Sequence, residues 1–428
     1  MQIPELHSLF TSCSEACTDT RNLIEDSMFF ALKGPSFNAN AFAKQALENG
    51  CKYAIIDEKE FYVDERSIIV EDVLTCLQEL ALYHREQLKI PVIGITGSNG
   101  KTTTKELIYT ALKPKYKVFA TKGNLNNHIG VPLSLLAIKE DVEIAIIEMG
   151  ANHGGEIEFL CNICLPNYGV ITNIGKAHLE GFGSIETIIE TKTALYRHLS
   201  KNDGYTFVNK KDDLLRSLSK GQKCIFYRSV DSIDGEILHD KGPFLSFTFL
   251  DKNKPVKEVN LRLIGDYNLD NVLAAMAIGL YFKVDLSDLI QALEDYTPTN
   301  NRSQWLKTAK NEIILDAYNA NPSSTLLAIR NFDKMKGEHK LAILGDMLEL
   351  GDGSLEEHQK IVDELEHLQI KSIVVGPQYA LCKTAPNITS IHSTEACKDF
   401  LLKQNYHNKM ILIKGSRGLK MERLAEVL

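Results

Sequence analysis

Ile93-Gly-Ile-Thr-Gly-Ser-Asn-Gly-Lys-Thr-Thr-Thr104 joins a buried strand to a helix through a glycine-rich turn. The apolar run Pro91 to Ile95 reads as the strand, and Thr103 to Leu112 carries the helical pattern. That order makes a phosphate cradle, because backbone N–H groups and the positive end of the helix dipole face the anion. Gly97 and Gly100 let the backbone approach phosphates closely, with Ser98 and Asn99 between them. Lys101 can reach the terminal phosphates, the Thr102 hydroxyl can hold a magnesium ion, and Thr103 extends the loop into the helix. Ile95 stands where the longer form of this pattern has its first Gly, so the loop is the short form Thr-Gly-Ser-Asn-Gly-Lys-Thr. The competing reading is a helix start with a solvated Lys. The strand before the loop and the helix after it favour the cradle.

Around this loop the chain reads as α/β with three domains. Its length of 428 residues exceeds what one ordinary core serves. Residues 1–88 form a small unit, with strands expected at Ser27 to Leu32, Tyr53 to Ile56 and Ser67 to Val70, and helices at Ala39 to Asn49 and Val73 to Leu88. Within it Ser27 marks a candidate binding edge, although such a stretch is more often a core strand. Residues 89–298 alternate strand and helix, which implies a mainly parallel sheet covered on both faces. From Cys224 to Leu263 the period becomes two, predicting an antiparallel patch. After the linker Thr297-Pro-Thr-Asn-Asn301, residues 299–428 repeat the strand and helix alternation of a Rossmann-like sheet.

Composition narrows the function. With 44% hydrophobic and 24% charged residues the chain is globular, and a net charge of −8 argues against nucleic acid as a partner. The first residues lack a signal-peptide pattern, and no run approaches the ~18 apolar residues of a membrane span. Nine cysteines without framework spacing fit reduced thiols, so a cytoplasmic location is expected. Cys161 and Cys164 are spaced C-x-x-C, but without a second such pair they read as core-facing hydrophobes.

Further polar residues fall at strand ends, the edge where open α/β sheets bind ligands. Glu148 closes an apolar strand where a nucleotide enzyme places a carboxylate for magnesium. His178, in Thr172-Asn-Ile-Gly-Lys-Ala-His178, is a candidate metal ligand on the same rim, or a polar loop residue. Asn126 and Asn127 sit in a polar loop. Asn268 and Asn271 share a helix face; their amides suit an adenine edge, and helix capping is an equal alternative. Asp316, Tyr318, Asn319 and Asn321 form a polar loop after a strand, and Arg302 follows the linker. Lys414 and Arg417 offer two cations for a carboxylate. Lys192 alone reads as a solvated helical lysine.

These motifs resemble the Mur ligase family over essentially the whole chain. The likeness rests on Gly94 to Thr103, Gly123-Asn-Leu-Asn-Asn127, Ile147-Glu-Met-Gly-Ala151, Thr172 to His178, Asp316-Ala-Tyr-Asn-Ala-Asn-Pro322, Leu344-Gly-Asp-Met-Leu-Glu-Leu-Gly351 and Lys414-Gly-Ser-Arg417. The Asn-Ala-Asn-Pro and Gly-Asp-Met-Leu-Glu-Leu-Gly stretches resemble the branch that adds a dipeptide. The Asp-Asn-Pro-Arg stretch of the enzyme adding the third amino acid is absent. The resemblance implies a domain for the UDP end of the substrate, a central ATPase domain and a closing domain for the dipeptide. It implies joining of D-alanyl-D-alanine to UDP-MurNAc-tripeptide through an acyl phosphate formed with ATP and Mg²⁺, by a monomeric enzyme. It assigns Lys101, Glu148, His178 and Lys192 to catalysis, with Lys192 carbamoylated by carbon dioxide and helping Thr102, Glu148 and His178 position metal. It assigns Asn268 and Asn271 to adenine, and Asp316 and Arg302 to ribose and phosphate. Tyr267 stands where many relatives have His, and Asn301 where Gly commonly precedes the Arg. Two other readings are another amide ligase of the family, which the C-terminal stretches disfavour, and a P-loop nucleotide switch, which gives the third domain's polar loops no role.

Overall fold

The computed structural model describes residues 1–239, 242–337 and 339–428. The loop found in the sequence sits at the centre of a six-stranded parallel sheet. Its order is Lys223–Tyr227, Tyr205–Asn209, Tyr168–Ile171, Val92–Thr96, Ile144–Glu148, Val118–Ala120. The first of these strands in the chain, Val92–Thr96, is central and fully buried, and later strands add on both sides of it. That makes its carboxyl end a topological switch point, where a crevice opens between diverging loops. Ile95 pairs with Glu148 on one side and Val170 on the other, so the loops after three strands meet at one rim.

The helix Lys101–Leu112 begins at Gly100, whose φ of +78° starts the first turn without a Cβ clash. It lies against the helix Asn268–Tyr281, burying Leu107, Ile108 and Ala111 with Val272, Ala275 and Met276 in one apolar cluster. The period-two region is a three-stranded antiparallel sheet of Ile233–Ile237, Phe244–Asp251 and Lys254–Ile264. It begins later than expected, because Lys223–Tyr227 instead pairs in parallel with Tyr205–Asn209 as an edge of the main sheet.

The N-terminal unit is a parallel four-stranded sheet in the order Ala16–Cys17, Met28–Phe30, Tyr53–Ile56, Ser67–Ile69. Its helix Val73–Gln87 packs on the central unit's helices Gly130–Leu136 and Glu156–Cys164. Leu77, Leu80 and Ala81 share one core with Leu135, Leu160 and Leu195. Arg85, buried in the same helix, donates from Nε to the Cys164 carbonyl (2.9 Å) and from Nη2 to the Leu165 carbonyl (3.0 Å). A cation there neutralises the negative end of the helix Glu156–Cys164. Cys161 and Cys164 are buried core residues, with sulfurs 3.9 and 3.6 Å from that of Met149.

The third unit is a six-stranded sheet ordered Gln304–Lys307, Glu312–Asp316, Met410–Lys414, Lys340–Gly345, Ser372–Val375, Ile388–Ile391. Only the first strand is antiparallel to its neighbour. The carboxyl ends of Glu312–Asp316 and Met410–Lys414 lie side by side, with Asp316 opposite Lys414. Among the described residues no helix is long and apolar enough to cross a membrane.

Candidate active site

The carboxyl ends of the central and third sheets face one another across a cavity of about 870 Å³. Ser98, Asn99, Gly100, Lys101, Thr102 and Thr103 line one wall; Arg302, Asp316, Tyr318, Asn319, Asn321 and Lys414 line the other. Asn126, Asn127, Glu148, His178, Asn268 and Asn271 complete it.

The glycine loop is laced to the loop after Tyr168–Ile171. Ser98 Oγ donates to the Gly175 carbonyl (2.8 Å) and accepts from the Gly175 N–H (2.9 Å). Asn99 N–H donates to Asn173 Oδ1 (3.0 Å), and Thr172 Oγ1 donates to the Asn99 carbonyl (2.6 Å). Gly97, at φ +147°, passes so close that a Cβ there would stand 1.9 Å from Thr172 Oγ1. These bonds hold the loop's shape, so the N–H groups opening the helix Lys101–Leu112 present a preformed anion site. Lys101 Nζ lies over the loop, donating to the Gly97 carbonyl (2.7 Å). Burial pushes its ammonium pKa down, Glu148 opposes that shift and Arg302 adds to it.

Glu148, 2% exposed, accepts at Oε1 from Asn126 Nδ2 (2.8 Å) and Thr102 Oγ1 (3.2 Å). Its Oε2 has no hydrogen-bond partner; the nearest cation, Lys105 Nζ, stands 3.9 Å away. A buried carboxylate oxygen without a hydrogen bond beside a hydroxyl is a donor set that fits a hard divalent cation. Lys105 is itself buried and donates to the Thr121 carbonyl (2.5 Å), while Thr121 Oγ1 accepts from the Glu148 N–H (3.0 Å). Lys105 and Thr121 thus flank the carboxylate, a role absent from the sequence reading. Its one signal was spacing: Lys105 lies four residues after Lys101, on the same helix face.

His178 sits at φ +51°, an uncommon conformation for a non-glycine residue, with Nδ1 2.5 Å from Glu349 Oε2 of the third unit. A carboxylate beside Nδ1 is the pairing seen in carboxylate–histidine–metal arrangements, in which Nε2 takes the metal. Lys192 is 1% exposed and lies behind the cavity wall, its Nζ 5.6 Å from the Phe182 ring centroid. It is not the solvated lysine its helix pattern implied. Burial, reinforced by Lys101 and opposed by Glu156, lowers its pKa to about 7.

Several expected roles change. Ser27 is fully buried, its hydroxyl 3.2 Å from Cys51 Sγ and 3.5 Å from Cys17 Sγ, so it is a core residue and not a substrate contact. Lys414 is buried and donates to Asp316 Oδ2 (2.7 Å) and the Asn319 carbonyl (3.1 Å). It therefore braces the loop from Asp316 to Asn319 instead of standing free for a carboxylate. Arg417 is exposed and lies outside the cavity wall, 5.3 Å from the Tyr318 ring centroid. Asn321 caps the helix Pro322–Lys334 and donates from Nδ2 to Asn99 Oδ1 (2.7 Å), tying the third unit to the phosphate loop. Neither Asn268 nor Asn271 is a helix cap. Asn268 Nδ2 donates to the Ile264 carbonyl (2.7 Å), and Asn271 Nδ2 to Asn268 Oδ1 (2.9 Å). Asn127 Oδ1 is taken up by the N–H groups of Ile129 and Gly130. The sequence reading also missed Asn209, Lys211, Arg228 and Asp270 at the far end of the cavity.

A preformed phosphate cradle at a switch point, roofed by a second nucleotide-type sheet, defines a P-loop enzyme that works between two domains. Residues 95–279 match the model of the Mur ligase middle domain, and residues 301–417 that of the Mur ligase, glutamate ligase domain. A UDP-N-acetylmuramoyl-tripeptide–D-alanyl-D-alanine ligase of Bacillus subtilis is 36% identical, covering 96% of this chain and 92% of that protein. The structure of MurF from Acinetobacter baumannii superposes with a TM-score of 0.87 at 30% identity, covering 99% and 98% of the two chains. MurF ligase from Thermotoga maritima in complex with ADP gives 0.85 at 29%, covering 98% and 97%. The chain belongs to the Mur ligase family, in the branch of UDP-N-acetylmuramoyl-tripeptide–D-alanyl-D-alanine ligases.

Proposed function

We propose that the enzyme joins D-alanyl-D-alanine to UDP-MurNAc-tripeptide at the expense of ATP, releasing ADP and phosphate. The observation that carries this reading is a cavity lined by the phosphate loop on one side and the Asp316 to Asn321 loop on the other. A carboxylate does not accept an amine at neutral pH until one oxygen becomes a good leaving group. The peptide's terminal carboxylate oxygen therefore attacks the γ-phosphorus of ATP, and ADP departs. The dipeptide amine then attacks the acyl carbon and loses a proton, and the tetrahedral intermediate expels phosphate.

In this reading Lys101 and the N–H groups at the start of Lys101–Leu112 hold the phosphoryl oxygens, and the bonds from Ser98 and Asn99 keep them preorganised. Arg302 and Asp316 meet the nucleotide from the third unit, with Asn268 and Asn271 at its base. Tyr318 and Asn319 stand on the dipeptide side, and Asn126 and Asn127 on the acceptor side. Thr102, Glu148 and His178 Nε2 would hold Mg²⁺, which when bound neutralises charge gathering on the transferred phosphoryl group. Lys192, as the carbamate of carbon dioxide, would add an anion to that set; its pKa of about 7 supplies the free amine that carbamoylation needs. The N-terminal unit takes the UDP end. The reading takes the enzyme to act as a monomer in the cytoplasm.

The test is phosphate release from ATP and Mg²⁺ with UDP-MurNAc-tripeptide, with and without D-alanyl-D-alanine. Dipeptide-dependent release, with a product heavier by that dipeptide, is expected. Release that ignores the dipeptide but follows another amine would move the protein to a sibling ligase. Release that ignores both substrates would refute the ligase reading.

A further inference from the structure

We propose that Tyr267 and Ser303 clamp the linker between the central and third units, and so position Arg302 at the nucleotide cavity. Arg302's task rests on the ligase reading above; the clamp rests on geometry.

The linker takes an unusual path. Asn301 at φ +55° and Ser303 at φ +47° flank Arg302, both in the left-handed region that residues with side chains seldom occupy. Such conformations persist where surrounding contacts over-determine them. Ser303 is buried and is gripped from both units. Its N–H donates to Asp316 Oδ1 of the third unit (3.2 Å), and its hydroxyl shares a hydrogen bond with Tyr267 Oη of the central unit (2.9 Å). Tyr267 stands just before the helix Asn268–Tyr281, its ring laid over Gly265 so closely that a Cβ there would lie 2.5 Å from it. Gly265 at φ +97° is thus shaped to seat the ring, and the seated ring aims its hydroxyl at the linker. With the backbone fixed on either side, the Arg302 guanidinium stacks 3.7 Å from the Tyr318 ring centroid. Its Nε is buried and has no protein partner. Tyr267 and Ser303 are positioning residues, acting through Arg302.

Tyr267→Phe keeps the ring on Gly265 and removes only the hydroxyl; Ser303→Ala removes its partner. Because trypsin cuts after arginine, cleavage of the Arg302–Ser303 bond in the full chain reads the clamp directly, without catalysis. Losing one hydrogen bond should speed that cleavage about two- to tenfold in either variant, and no further in the double variant. Unchanged cleavage, or rates that multiply in the double variant, would overturn the clamp. In the ligation assay Tyr267→Phe should lower kcat/KM for ATP by a similar factor, and should do nothing in an Arg302→Ala background. A loosened bond with unchanged kcat/KM, or an equal loss in the Arg302→Ala background, would overturn the positioning of Arg302. If the wild-type protein hydrolyses ATP without either co-substrate, the ligase reading fails, while the cleavage rates still judge the clamp.

Discussion

Replacing Lys192 with Met should stabilise the protein while abolishing ligation, and the stability gain should shrink as pH rises. Lys192 ordinarily ionises at 10.5 and here at about 7, so below pH 7 the folded state must carry a buried ammonium. Over that interval the linkage cost reaches on the order of 5 kcal/mol. The sign follows from proton counting: between pH 7 and 10.5 the unfolded chain holds a proton that the folded chain has shed, so stability rises with pH. At pH 9 about 2 kcal/mol of the cost remains, so the Met variant's advantage should be about 3 kcal/mol smaller there than at pH 6. Methionine matches the lysine stem in volume and needs no ion partner. Denaturant unfolding at both pH values, in buffer freed of carbon dioxide, measures the difference. A variant destabilised equally at pH 6 and pH 9 would refute a depressed amine at this position.

The same depressed pKa makes Lys192 a good target for carbon dioxide. At pH 8 about nine-tenths of such an amine is neutral, against roughly 0.3% for an ordinary lysine, a ~300-fold advantage in the form that reacts. Wild-type protein in ¹³C-bicarbonate should therefore show a carbamate carbon resonance that Lys192→Met lacks. Lys192→Ala should lose activity, with short carboxylates restoring part of it. A fully active Ala variant, or no carbamate signal in the wild type, would sink the assignment.

Lys101→Ala should abolish dipeptide-dependent phosphate release with little change in thermal stability, because the Lys101 amine bonds only loop carbonyls; near-normal turnover would remove the central claim. Gly97→Ala forces a methyl into the space of Thr172 Oγ1 and displaces a loop whose placement within about 1 Å governs roughly a hundredfold of rate; ATP affinity read by calorimetry should collapse, and an unchanged Kd would contradict the packing. Ser27→Ala should leave the KM for UDP-MurNAc-tripeptide unchanged and cost about 1 kcal/mol of stability, since it removes a hydroxyl buried between two thiols. A raised KM would restore Ser27 to the substrate site.

The phosphate loop was legible because its meaning is local: strand, glycines, lysine and helix follow one another, and the structure keeps that order at Val92–Thr96 and Lys101–Leu112. Features assembled from distant segments were not. Ser27 looked like a binding edge because nothing in its neighbourhood announces that Cys17 and Cys51 converge on it. Nothing local to Lys105 marks it, because its burial against Thr121 and Glu148 exists only after three elements have packed. Lys223–Tyr227 was read with the antiparallel patch because its short apolar run, Cys224 to Tyr227, carries no mark of the strand it pairs with. Parallel pairing with Tyr205–Asn209 is invisible to periodicity alone.

The two domain junctions differ in chemistry around the cavity. The N-terminal and central units share one apolar core through Leu77, Leu80, Leu135 and Leu160, with Arg85 fastened to the end of Glu156–Cys164. Separating them would expose that core and strand a buried guanidinium. The third unit packs Trp305 on Phe244 (ring centroids 5.7 Å apart) and takes Ile264 into its core, while at the cavity rim it meets the loops of the central unit through polar contacts: Asn321 and Ser323 on Asn99, Glu349 on His178, and Glu357 3.8 Å from Lys176. Each of these groups can exchange its partner for water at small net cost, as expected of a junction between mobile domains. A ligation needs that asymmetry. ATP and two peptide substrates must enter, the acyl phosphate must be shielded from water, and ADP must leave. The shared core joins the first two units firmly beneath the residues Glu148, Thr102 and Lys192. The third unit sets Asn321 on Asn99 and Glu349 beside His178, so on the ligase reading its contacts at the rim are the ones that closing over bound substrates would have to make.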